Sequence, residues 1–253
     1  MKPLAEVCHW LLPGALAIGC GAVWGQSADL PSTLRNLAQS SADYRKSVPN
    51  FTCVENVVST EKQKNKVKVR VEFRANIHVV REPDGSLQET FTTTEYMGAP
   101  VTGNTGLGAP LYIQGGLSRG VPIFFAADQQ RCYRYTLRAG RIDFKAEPVD
   151  ASCDSPESTR GFATLDSDSN AVHTETRRSL KDSLRHNMAT FSAVDYSSVE
   201  LNGKTYRLPV HLYSELANHG WARTFDASYT NCRLFQATVT IHDPGVVDPH
   251  NPQ

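Results

Sequence analysis

Neither sign of charge predominates in this chain of 253 residues: 26 Lys and Arg face 26 Asp and Glu, for a formal net charge of zero. That balance argues against a nucleic-acid protein, which would carry a basic domain or stripe. Charged residues make up only 21% of the chain against 40% hydrophobic ones, and 10 Phe and 9 Tyr supply bulk for a core, so a self-repelling disordered chain is excluded as well. Apolar runs long enough to span a bilayer are absent after the N-terminus, and no transmembrane helix is expected there. Cysteines at zinc-finger spacing are absent, as are helical histidine pairs: His78, His173, His186, His211, His219 and His242 are scattered, and no metal and no cofactor is expected. Strands do not alternate with long helices, which removes parallel sheets of the dinucleotide-binding kind.

The first 28 residues read as an export signal. Lys2 gives the positive start, Trp10 to Trp24 form a short apolar stretch, and small residues follow at Gly25, Ser27 and Ala28, although Glu6 and Pro13 depart from the ideal pattern. Ala17-Ile18-Gly19-Cys20 also resembles a degraded lipobox, in which Cys20 would be acylated. Beyond the signal four cysteines remain: Cys53, Cys132, Cys153 and Cys232. An even number in an exported chain points to disulfides, and of the three connectivities we favour Cys132 with Cys153 and Cys53 with Cys232. A two-residue turn at Ala139-Gly140 places Cys132 opposite Glu147, so Cys153 must fold back past Pro148 to reach it.

Leu34, Leu37, Ala38, Ser41, Arg45 and Val48 recur at helical spacing between Pro31-Ser32 and Pro49 and predict one amphipathic helix. The period then changes to two. Val67, Val69, Val71, Phe73, Ala75, Ile77 and Val79 alternate with polar residues, which predicts a long strand with one buried face. Turn signals at Asp84-Gly85, Ala139-Gly140, Asp166 to Asn170 and Asn202-Gly203 separate further strands, and Leu234 to Ile241 reads as the closing one. The expected fold is α+β: a strongly curved antiparallel sheet, a half barrel of about eight strands with the N-terminal helix packed on it. It would occupy residues 29–243 as one domain, followed by a disordered tail over 244–253. Met97 to Pro122, rich in Gly and Pro, predicts a functional loop, and Ala151 to Ser158 an exposed connection.

Chemical motifs are sparse. Gly116-Leu117-Ser118-Arg119-Gly120 fits the letters of a nucleophile elbow, but Pro122 stands where the elbow's helix should begin. Gly203-Lys204-Thr205 lacks the upstream glycine of a phosphate loop and belongs to a hairpin turn. Lys62, Lys64, Lys66, Lys68 and Arg70 form a basic cluster suited either to anionic head groups or to protecting an exposed strand from aggregation. The carboxylates Asp166 and Asp168 lie in a turn, a poor setting for acid-base work.

The order of landmarks resembles an uncharacterised family of exported bacterial proteins: a signal, one helix, Val48-Pro49-Asn50-Phe51-Thr52-Cys53 opening the first strand, Val194-Asp195-Tyr196, Leu208-Pro209-Val210, and a last strand carrying Tyr229 and Phe235. The layout is also similar to the lipoprotein-localisation factor fold, a half barrel with a helix in its concave face. The resemblance implies an exported cell-envelope protein, periplasmic or extracellular, that binds an apolar ligand, a lipid or a lipoprotein. It points to Val69, Val71, Phe73, Ile77, Phe91, Ile123, Phe125, Tyr133 and Tyr135 as the ligand-facing residues, with the Gly-rich loop as a lid. A pocketless scaffold for protein contacts and a serine hydrolase using Ser118 are the alternatives. No catalytic residue is otherwise indicated, and nothing in the chain specifies an oligomeric state.

Overall fold

The computed structural model describes residues 29–101, 108–120, 123–147, 149, 153, 158–181 and 187–235. The export signal, Cys20, the 244–253 tail and most of the expected closing strand lie outside these residues.

One α-helix, α1 (Leu30–Ser47), precedes eleven strands: β1 (Phe51–Gln63), β2 (Lys66–Arg81), β3 (Leu87–Tyr96), β4 (Ala99–Pro100), β5 (Tyr133–Arg138), β6 (Arg141–Ala146), β7 (Arg160–Leu165), β8 (Ala171–Lys181), β9 (Asn187–Leu201), β10 (Lys204–Asn218) and β11 (Trp221–Leu234). Two short 3-10 turns, Ile123–Phe125 and Gln130–Cys132, lead into β5. All strands form one unclosed antiparallel sheet in the order β4-β3-β2-β1-β11-β10-β9-β8-β7-β6-β5. The expected class therefore holds, with eleven strands in place of about eight.

Local chemistry sets the element ends. Asp29 caps α1 by accepting the Ser32 N–H at 2.7 Å, and Pro31 fits the first turn, where its missing N–H costs nothing. The β9–β10 hairpin turns at Asn202 and Gly203, both at positive φ, as a twist-matched two-residue turn requires. Lys64 and Asn65 make the same turn between β1 and β2, so the basic cluster straddles a hairpin tip instead of lying on one strand. The outer end of β2 departs from expectation too: Val67 and Val69 are 56% and 41% exposed, and the buried phase begins only at Val71. Beside the hairpin tip no element among the described residues covers them.

The last strand among the described residues is β11, which ends at Leu234, where the expected closing strand begins. Its inward residues Phe225, Ala227 and Tyr229 are buried and alternate with Asp226, Ser228 and Thr230, a short period-two signal.

The sheet curls around the helix. At 1.5 Å per residue α1 is about 27 Å long. Near its C-terminal end the carbonyls of Arg45 and Val48 accept from Arg81 of β2, while Leu37 packs with Tyr133 of β5. Strands β2 and β5 stand eight steps apart in the sheet, about 38 Å if it were flat. Bulges between Thr52 and Val54, Pro209 and His211, and Thr164 and Leu165 add local bend, and the first two lie where the chain needs them: one beside Cys53, one at a proline that cannot donate to the ladder. Disulfides join Cys53 to Cys232 across the β1–β11 bulge and Cys132 to Cys153. Cys132 does stand opposite Glu147, whose N–H donates to its carbonyl at 2.8 Å.

Candidate functional site

The inner face of the sheet carries two separate cores. One joins Phe51, Val57, Phe73, Ile77, Leu208, Phe225 and Tyr229 to Tyr44 of α1. The other joins Phe124, Phe125, Tyr133, Ile142 and Phe144 to Leu37. Between them a cleft of about 750 Å3 opens over the middle of the sheet, within the size range of ligand pockets.

Its floor is supplied by the inward residues of three adjacent strands, and their order is regular. Along β9 they run Tyr196, Val194, Ser192; along β10, Pro209, Leu212, Ser214; along β8, Thr174, Thr176, Arg178. Cross-strand register aligns Thr174 with Val194 and Leu212, and Thr176 with Ser192 and Ser214. The floor thus passes from an apolar row to a row of hydroxyls, where Ser192 and Ser214 share a hydrogen bond of 2.5 Å, and then to Arg178. One wall is α1 through Ser41 and Arg45; the other is the Gly-rich segment 113–120, with Phe124, Gln129 and Tyr133 closing the far side.

The described part of the Gly-rich segment is packed onto the first core. Ala109, Leu111, Tyr112, Ile113 and Leu117 lie on the first core. Ser59 donates to the Leu111 carbonyl at 2.8 Å, and the Tyr44 hydroxyl donates to the Leu117 carbonyl at 2.5 Å. The Glu89 carboxylate accepts three backbone N–H groups, from Gly115 at 3.0 Å, Leu117 at 3.0 Å and Ser118 at 2.9 Å, which fixes the turn from β3 below it. Only glycine suits two points of this turn: a Cβ on Gly120, at φ +60°, would meet the Tyr44 ring at 2.3 Å, and one on Gly116 the Tyr229 hydroxyl at 2.8 Å.

Beneath the turn lies Glu55, 1% exposed. Its Oε2 and the Tyr229 hydroxyl are buried without hydrogen-bond partners. Burial first, then the charge of Glu89, pushes the Glu55 carboxyl up to about 8. Glu55 is therefore held protonated at neutral pH, because an unpaired charge there would be costly.

On the outer face a chain of ionisable groups crosses four strands. His173 Nδ1 meets Asp195 Oδ1 at 2.6 Å, Asp195 Oδ2 meets His211 Nδ1 at 3.2 Å, and His211 Nε2 meets Asp226 Oδ1 at 2.8 Å. Burial alone would lower the His211 pKa, but its bonds to Asp226 and Asp195 outweigh this and raise it; burial would raise Asp195, but its bonds to His173 and His211 outweigh that and hold it below the usual carboxylate range. The chain holds no Ser or Cys nucleophile and lies on the face opposite the cleft.

Of the residues singled out from sequence, Tyr133 lines the cleft. Val71, Phe73, Ile77 and Phe125 are buried in the two cores, Phe91 and Tyr135 pack against their edges, and Val69 is exposed. The side chain of Ile123 is outside those described. Helix and loop fill the concave face over β1 and β2, so the opening falls over β8–β10 instead. Ser118 lines the cleft, yet residues 116–119 form a turn between irregular segments and not between a strand and an α-helix, so the elbow geometry is missing. Sequence reading missed Arg45, Arg119, Arg178 and the hydroxyl row. On β8 both faces are polar, His173, Glu175 and Arg177 alternating with Thr174, Thr176 and Arg178, so no periodicity betrays which side faces inward.

No protein-family model matches the chain, and no curated protein matches it. Solved structures similar in layout include a domain described as a candidate outer membrane lipoprotein-sorting protein from Vibrio parahaemolyticus, with 10% identity and TM-score 0.40 over 82% of this chain and 94% of that one. A LolA superfamily protein from Nitrosomonas europaea shows 11% identity and TM-score 0.34 over 81% and 94%. A DUF1329 family protein from Desulfovibrio piger shows 10% identity and TM-score 0.34 over 86% and 95%. Likenesses of this size carry across neither a ligand nor the role of any residue.

Proposed function

We propose that this protein is an exported carrier or sensor that holds the apolar part of a lipid or similar ligand in the cleft between helix and sheet. The observation that carries the reading is the cleft itself: about 750 Å3 left open between two filled cores, with Val194, Leu212, Phe124 and Tyr133 in its lining. A sheet serving only to pack on its helix would have closed that space, since protein interiors otherwise fill to crystal-like density. Two disulfides support an oxidising compartment, and no helix among the described residues is long and apolar enough to cross a membrane.

The test is native mass spectrometry of protein purified from a bacterial periplasm without detergent, followed by organic extraction. A reproducible adduct that extracts as a lipid, and that is lost when Thr176→Trp fills the floor, is the expected result. A clean protein mass from both forms, with no adduct after incubation with lipid, would overturn the reading.

A further inference from the structure

Three arginines are among the residues that line the cleft: Arg45 from the last turn of α1, Arg119 from the Gly-rich turn and Arg178 from β8. No Asp or Glu is among the residues that line it. Nor does any of the three side chains make an ion pair or a hydrogen bond with a described residue, although Arg207, Arg223, Arg141 and Arg70 elsewhere on the sheet each pair with a carboxylate. The nearest acid on the loop side, Glu89, is fully engaged by the three backbone N–H groups of the turn that presents Arg119. Arg119 itself folds back over Gly115, where a Cβ would meet its Nε at 2.9 Å, which turns it along the cleft wall.

The floor has a matching gradient. It runs from Val194 and Leu212, through the hydroxyls of Thr176, Ser192 and Ser214, to Arg178, so that apolar surface, hydrogen-bond donors and positive charge follow one another along the strands. A half-apolar cleft lined by three arginines and, among the described residues, by no carboxylate is complementary to an anion joined to a hydrocarbon chain.

We infer that the ligand is an anionic amphiphile, its carboxylate or phosphate head drawn to Arg178 beyond the hydroxyl row, with Arg119 and Arg45 adding positive charge along the walls, and its chain lying on the apolar row of Val194 and Leu212. This rests on the cleft being a ligand site. Isothermal titration of the purified protein with decanoate, decanol, decyl phosphate and inorganic phosphate separates the two ideas. Decanoate or decyl phosphate should bind at least about tenfold tighter than decanol, the worth of one charge-assisted contact. Arg119→Gln with Arg178→Gln should remove that advantage, so that decanol and both anions bind the variant alike; which anion binds tighter distinguishes a fatty-acid from a phospholipid-type head. Equal binding of decanol and both anions would overturn the inference while leaving the cleft a ligand site. No binding of any chain would overturn the cleft reading itself. Inorganic phosphate binding as tightly as decyl phosphate would mean a free-anion site and also overturn the amphiphile.

Discussion

Glu55 is the residue whose chemistry is most altered by its surroundings, and the sign of its effect on stability follows directly. Its carboxyl titrates near 8 in the folded chain against 4.5 in the unfolded one, so between those values the folded state binds the extra proton. Stability through this group is therefore greatest below about pH 4.5, falls as pH rises toward 8, and is flat above. Comparing chemical denaturation of the native chain and Glu55→Gln at acid and alkaline pH checks this: the variant should gain stability relative to the native chain as pH rises. Parallel pH profiles for the two proteins would show that Glu55 keeps its charge when folded. None of this was legible in the sequence, where Glu55 sits in a strand among Val54, Asn56 and Val57 and looks like any surface carboxylate; alternation puts it inward, and only the overlying Gly-rich turn buries it.

Among the elements, β7 shows how closely the strands approach. Gly161 stands between Phe144 of β6 and Thr176 of β8, and a Cβ there would meet the Glu175 carbonyl oxygen at 1.9 Å and the Phe144 ring at 2.7 Å. Backbone cannot yield as a flexible side chain can, so Gly161→Ala should destabilise the fold by about 1–3 kcal/mol, as overpacking does. Urea denaturation would show it, and an unchanged midpoint would mean that β7 has room to shift. Helix α1 and the hairpins at Ala139-Gly140 and Asn202-Gly203 were legible because their signals are local: a cap, a proline, or a turn that tolerates positive φ. Strand β8 was harder, since it alternates polar with polar residues, and it does so because much of its inner face meets the cleft and not a packed core.

For the whole molecule, the two disulfides have different weights. Cys53–Cys232 closes a loop across 179 residues and Cys132–Cys153 one across 21. In the chain-entropy account the longer loop contributes about 2 kcal/mol more, within a usual range of about 2–5 kcal/mol for a native bridge. Replacing each pair by Ala and comparing urea midpoints should show the larger loss for Cys53 and Cys232, which also tie the first strand to the last. A larger loss for the other pair would place the weakest point of the fold at the β5 edge.

What the sequence determined by itself is the set of elements whose cause is nearby in the chain: one capped helix, antiparallel strands joined by tight turns, and the cysteines available to bridge them. Burial was readable as well, and Val71, Phe73, Ile77 and Phe125 are indeed inside. What covers each buried face was decided only by the tertiary structure, because alternation reports that a side chain leaves water and not whether a helix, a loop or an open cleft meets it. The cleft arises where α1 and the Gly-rich segment, drawn onto β1 and β2 by Tyr44, Leu117 and Glu89, stop short of covering β8 to β10, and that shortfall depends on the curl of eleven strands together.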